Sequence, residues 1–367
     1  MPTNAMVIDV HCHVGLSARR ADASMPRLSF EKSGARGTPG YDSYLSPRLL
    51  SRAAWYVIRR KLGIDPNLPR GDELDARIEA INENHWSQAT GVDRFVLLAF
   101  DEYHDDAGHV HGAANRRRTT GSDLYVSNSL VRAICAARPN RYLFGGSIHP
   151  YRKQDGRDAC DLLEETVQSG AVLIKWLPIH QNIRAEDPRT VAFLRRANEL
   201  GVAMLIHYGG EMSLARRHME FAHPGAMMDV LRGLRAEGKM PTVIMAHVAT
   251  PSFPWQDGDG YDVLTDALLG DFKDDPLYAD ISALAALGRT AWLRRLADRP
   301  ELHHKLVWGS DYPIPVMLRP FWRRLDRRTR KHIASLPSWV ERDLQLKRAL
   351  GFNECVFTNA QTILRVP

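Results

Sequence analysis

Met6-Val7-Ile8-Asp9-Val10-His11-Cys12-His13 is the stretch on which the reading of this chain turns. An apolar run ends in two histidines one residue apart. Side chains alternate along a strand, so a regular strand puts Asp9, His11 and His13 on one face and Cys12 on the other. Two imidazoles at i and i+2 at the carboxyl end of a strand can hold one metal ion. A pair of ordinary strand-end histidines is the plainer alternative. Alternation also leaves Cys12 out of a ligand set and makes Asp9 a candidate partner for the imidazoles.

Working outward, strand-like apolar runs recur at Met6–His11, Arg94–Phe100, Tyr142–Ile148, Ala171–Leu177, Val202–His207, Thr242–His247, Leu277–Ile281 and Leu306–Gly309. Helical patterns lie between them. Asp187–Pro188 reads as a cap and first turn, Val191, Leu194, Ala197 and Leu200 make one apolar face, and Gly201 ends the helix. Gly170 closes a second helix over Asp158–Ser169 in the same way. Strands alternating with helices indicate an α/β fold with parallel strands, and eight strands close a (β/α)8 TIM barrel. One barrel spanning 1–367 is expected. A long insertion after the first strand, 14–91, carries expected helices near Pro47–Leu62 and Glu73–Ala89 and would serve as a lid or a homo-oligomer interface. A second excursion runs from Asp101 to Arg138.

Composition narrows the class. At 367 residues, 44% hydrophobic and 25% charged, the chain can bury a sizeable core. No run of about 18 apolar residues exists and nothing resembles a signal peptide, so a cytoplasmic protein with no membrane partner is expected. Cys12, Cys135, Cys160 and Cys355 are scattered and read as reduced thiols. The net charge of +6 is concentrated in Arg116–Arg118 and Arg319–Lys331. Both runs lack the interleaved aromatics of a single-strand groove, so they read as solvated faces and no nucleic-acid partner is expected.

Chemistry gathers at the strand ends. His207 ends the fifth run, His247 ends the sixth, and Asp311 follows the eighth in Trp308-Gly309-Ser310-Asp311-Tyr312-Pro313. In a barrel all these ends face one mouth, where packing alone rarely collects so many ligand-type residues. Trp176, Tyr208, Phe253, Trp255 and Tyr312 lie beside those ends and could line a substrate pocket, or simply pack loop against barrel. His104, Asp105, Asp106, His109 and His111 cluster in a loop without regular ligand spacing and read as substrate contacts or solvated groups. His149 and His180 complete no ligand set.

The ordered set H-x-H on strand one, Lys175 on strand four, His207 and His247 on strands five and six, and Asp311 on strand eight resembles the amidohydrolase superfamily. The pieces Ile8–His13, Ser147-Ile148-His149-Pro150, Ile174-Lys175-Trp176-Leu177-Pro178, Gly309–Pro313 and Asn359-Ala360 resemble its amidohydrolase-related branch, which includes aminocarboxymuconate-semialdehyde decarboxylase. The resemblance runs almost end to end but does not cover 14–91 or 101–138. It implies a metal held by His11, His13, His207 and Asp311, with His247 as a further ligand or a catalytic acid or base. In two-metal members a carboxylated lysine at the position of Lys175 bridges both ions; pairing with a substrate carboxylate and a buried ion pair are the alternatives. Zn2+ suits the donors, as one ion or two, and Mn2+ or Fe2+ would also fit. The expected activity is hydrolysis of an amide, lactone or ester bond in a small organic substrate, with Asp311 and His247 as catalytic residues. Decarboxylation of an aromatic or muconate-type acid is the rival. Retention of His11, which several decarboxylases of the branch replace, and the presence of Lys175 favour hydrolysis. A nuclease of the TatD type lacks support, since its G-E-x-G-L-D stretch is missing. A non-catalytic scaffold would be expected to have lost a ligand, and none is lost.

Overall fold

A computed structural model of the chain describes residues 5–31, 40–114, 121–215, 217–253 and 258–366. The strands in chain order are β1 (Ile8–His13), β2 (Ala18–Arg20), β3 (Tyr41–Leu45), β4 (Arg94–Leu98), β5 (Leu124–Val126), β6 (Tyr142–Gly146), β7 (Ala171–Trp176), β8 (Ala203–His207), β9 (Val243–Ala246), β10 (Leu277–Asp280) and β11 (Leu306–Val307). Eight of them form one parallel sheet in the order β1-β4-β6-β7-β8-β9-β10-β11. Its two ends meet where Val10 N–H donates to the Trp308 carbonyl, Asp311 N–H to His11, and His13 N–H to Tyr312. The chain is therefore an α/β TIM barrel, as the eight apolar runs predict.

Alternation sorts the strand residues onto two faces. Ile8, Val10, Val96, Leu98, Leu143, Leu173, Ala203, Leu205, Ile244, Ala246 and Val307 pack as one inner cluster, plugged by Ala360, Leu364 and Val366 near the carboxyl terminus. Their strand neighbours face the surrounding helices in a larger outer cluster. The helices follow the local signals. Asp187 accepts from Arg189 N–H at 2.9 Å and Gly201 ends the Pro188–Leu200 helix at φ 67°. Asp158 and Asp161 make a reciprocal capping box for Ala159–Gln168.

Two expectations about the excursions change. A small antiparallel sheet, β2-β3-β5, joins the first excursion to the second. Strands of three to five residues carry too little alternation to be read from sequence. The expected helix near Pro47–Leu62 breaks into Pro47–Leu50 and Ala53–Lys61, and the second helix of the insert spans Asp72–Ser87. That last helix lies on the barrel wall: Trp86 packs on the rings of Phe95, Tyr142 and Tyr312. It therefore takes the place of the first barrel helix, and the true extra structure lies ahead of it.

All four cysteines are free. Arg116–Arg118 lie outside the described residues. In the second basic run the Arg327–Ser335 helix buries only Ile333. Among the described residues no helix is long and apolar enough to cross a membrane.

Candidate active site at the barrel mouth

The first strand is not regular where it matters. Asp9 pairs with Phe95 and Cys12 with Leu97, so β1 carries one extra residue between them, a bulge that advances the alternation by one. Ile8 and Val10 face inward below it; above it His11 and His13 face inward and Cys12 faces out. Asp9 consequently does not share the face of the histidines. Its carboxylate instead accepts from the backbone N–H of His11 at 3.1 Å and of Ser310 at 2.9 Å, tying β1 to the loop after β11. Burial pushes the Asp9 carboxyl up to about 7.

The partner that Asp9 was expected to be is Asp280, at the inward end of β10. Its Oδ2 lies 2.8 Å from His11 Nδ1, and its Oδ1 accepts from His247 N–H at 2.8 Å and from the Ser282 hydroxyl at 2.5 Å. Burial opposes its charge, but His11, His247 and Ser282 hold this carboxyl well below the usual range. His247 Nδ1 sits 3.0 Å from the Ser282 carbonyl. An acceptor at each Nδ1 places the proton there, so His11 and His247 present a bare Nε2 to the mouth. Burial lowers the pKa of both rings.

Asp311 closes the group. Its Oδ1 is 3.0 Å from His13 Nε2 and 3.5 Å from His11 Nε2, and its Oδ2 is 3.9 Å from His247 Nε2. Burial disfavours the carboxylate, yet His11, His13 and Lys175 hold it well below its ordinary range. Asp311 adopts φ 58°, and a Cβ on Gly309 would lie 2.8 Å from His11 Cβ, so only glycine lets the loop pass this close. His11, His13 and Asp311 hold their ligand atoms within 4.8 Å of one another. Two imidazole nitrogens and one carboxylate oxygen make a borderline donor set that suits a divalent transition ion.

The other expected residues divide. Lys175 and His207 point inward and line the same cavity, with His247. The Lys175 ammonium has no hydrogen-bond partner, and burial brings it down to about 8 against the pull of Asp280, Asp311 and Glu211. The His207 ring lies 4.7 Å from that of His247, but its Nε2 faces the Gly210 carbonyl at 3.2 Å, so it stands outside the compact donor group.

Trp176, Tyr208 and Tyr312 do not line the cavity. Each faces outward and packs in the outer core, Trp176 on Phe193 with its indole N–H on the Ile148 carbonyl, and Tyr312 on His85 and Trp86. Lys175 and His207 point inward, so the residue after each must point outward. Trp255 lies outside the described residues. Phe253 contacts the loop at Gly288 and is not part of the lining. The histidine cluster after β4 is self-satisfied and apart: Asp105 pairs with His111 at 3.0 Å and His109 at 3.4 Å, and His104 stacks on His149. His180 Nδ1 sits 3.3 Å from the Ala215 carbonyl. Three site residues have no counterpart in the sequence reading: Asp280, Arg289 and Glu211. Only Asp280 carried a signal, as a carboxylate at the inward end of a strand.

Imidazoles and carboxylates from the strand ends of a TIM barrel, converging beside a cavity of about 140 Å³, mark the carboxyl-terminal mouth as the candidate active site of a barrel enzyme. A family model described as amidohydrolase matches residues 8–331, and the chain belongs to that family. It is an enzyme of the amidohydrolase superfamily. An uncharacterised TIM-barrel protein of Bordetella bronchiseptica is similar in structure, with a TM-score of 0.56, 16% identity and 98% of each chain covered. The solved structures also include a 5-carboxyvanillate decarboxylase of Sphingomonas paucimobilis at a TM-score of 0.49, 14% identity and 99% and 100% coverage. A probable 2-pyrone-4,6-dicarboxylic acid hydrolase of Acinetobacter baumannii stands at 0.48, 13%, and 98% and 99%. No curated protein sequence matches the chain.

Proposed function

We propose that the chain is a divalent-metal-dependent hydrolase that cleaves an amide, lactone or ester bond of a small organic substrate. The observation that carries this reading is the approach of His11 Nε2 and His13 Nε2 to one Asp311 oxygen, at 3.5 and 3.0 Å. These three residues would hold the ion, Zn2+ by their donor chemistry, and His207 would join as a fourth ligand on turning its Nε2 away from the Gly210 carbonyl. A second ion would take His247 and a carboxylated Lys175. An amine brought down to about 8 is partly neutral near pH 7, the form that reacts with CO2. A divalent cation held here supplies Lewis acidity and lowers the pKa of water from about 15.7 toward roughly 7.

The chain's own groups do the rest. Asp311, ionised and buried, accepts a proton from the attacking water and passes it to the leaving group. His247, with Nδ1–H committed to Ser282, offers a bare Nε2, which suits a ligand or a base better than a donor to an oxyanion. Asp280 fixes the orientation of His11 and the backbone of His247.

Asp311→Asn should lower turnover by at least 10³-fold while the melting temperature stays near that of the parent chain. Appreciable hydrolysis by the variant removes the proposed mechanism. Release of CO2 without hydrolysis would assign the decarboxylase chemistry instead.

A further inference from the structure

The cavity has two unlike sides. The barrel supplies the histidines, Lys175 and Asp311. The insert after β1, with the Asp72–Ser87 helix that follows it, supplies an apolar wall from Leu50, Trp55, Ile58, Leu62, Ile64 and Ile78. Such a wall gains little from a small, highly polar substrate and about 25 cal/mol per Å² from an apolar one.

The polar atoms left over have one sign. Among the residues that line this cavity, four buried side-chain nitrogens have no hydrogen-bond partner: Trp55 Nε1, Arg59 Nε, Lys175 Nζ and Arg289 Nε. All four are donors, and among the described residues that line the cavity no buried acceptor is left unpartnered. Lys175 has its place in the proposed function. Arg59 already spends one terminal nitrogen on the Asp65 and Leu68 carbonyls. Arg289 is 5% exposed, donates once to the Gly210 carbonyl, and stands next to the donor group, where it feels Glu211, Asp311 and Asp280. Glu211 does not satisfy it through Oε1, which accepts from the N–H groups of Ser213 and Leu214. A guanidinium kept in low dielectric with an unused donor calls for an anion.

We propose that the substrate is a hydrophobic carboxylic acid derivative, with its carboxylate seated on Arg289 and its apolar body against the wall built by Leu50, Trp55, Ile58 and their neighbours. This deepens the hydrolase reading and rests on it, since the scissile bond must reach the barrel side. The unspent N–H groups of Trp55 and Arg59 fit a further acceptor oxygen on the apolar body.

The test is calorimetric titration of the full chain after chelation, with 1-naphthoate and the neutral 1-naphthalenemethanol as probes. The parent chain should bind the carboxylate at least tenfold more tightly than the alcohol. Arg289→Gln should abolish that preference, and Arg289→Lys should keep part of it. Ile58→Asn should weaken both probes alike, by about tenfold. Equal affinity of the parent chain for both probes overturns the proposal, as does a preference that survives in Arg289→Gln. If Arg289→Gln does not fold, the parent comparison and Arg289→Lys decide alone. Because this titration uses metal-free protein, its failure is separate from failure of the hydrolase reading, which shows in Asp311→Asn turnover.

Discussion

The two sides of the cavity are held in opposite ways. On the barrel side the polar groups other than Lys175 are tied to backbone or to buried neighbours: Asp280 touches His11, the His247 backbone and Ser282, and Asp9 ties β1 to Ser310. On the other side the wall is made of aliphatic and aromatic side chains from three helices and a loop, with no shared hydrogen-bond network among those side chains. The first side is specified by geometry, so single atoms matter. The second is specified by area, so side chains of similar size can be exchanged. In the proposed reading the barrel side carries the chemistry, and the wall, together with Arg289, carries substrate choice.

That contrast can be broken experimentally. Asp280→Asn leaves the shape but removes the carboxylate that orients His11, and should weaken divalent-ion affinity by about 10- to 100-fold in a competition assay. An unchanged affinity would mean that the barrel side is not organised through Asp280. Ile58→Ala removes part of the wall and should raise KM for an apolar substrate by about tenfold, since losing a share of a buried side chain worth about 1.5–3 kcal/mol is enough. Metal content should not change. A fall in metal content would show that the wall also supports the ligands.

The seam between the two sides gives a subtler effect. Tyr44, on β3, donates its hydroxyl to Glu102 just beyond β4 at 2.7 Å. Burial raises the Glu102 carboxyl from 4.5 to about 7. Below pH 4.5 it is protonated in both folded and unfolded chains. As pH rises from there through 7, the unfolded chain gives up the proton first, so the native state loses stability. Glu102→Gln keeps an acceptor for Tyr44 and should flatten the fall of the urea midpoint across this window. A slope equal to that of the parent chain would assign the pH dependence elsewhere.

Much of this architecture is legible in the sequence because parallel barrel strands are short, apolar and bounded by helix signals. All eight strands fall where the apolar runs place them, and His11, His13, His207, His247 and Asp311 fall at one mouth because each ends or follows a run. The errors also have physical causes. Simple alternation put Asp9 beside the histidines, and the bulge in β1 reversed it. The same alternation, applied to Lys175 and His207, would have sent Trp176 and Tyr208 outward. Arg289 and the apolar wall stayed hidden because they come from loops and an insert, where no periodicity ties position in the chain to position in space.

The central claim is that the inward imidazoles of β1 and Asp311 hold a divalent ion. Zinc content per chain, measured after dialysis against trace Zn2+ for the parent protein and for a His11→Ala, His13→Ala double variant, tests it most directly. The account predicts at least one tightly held ion per parent chain and almost none in the variant. A parent chain that retains no ion, or a variant that retains as much, would contradict it.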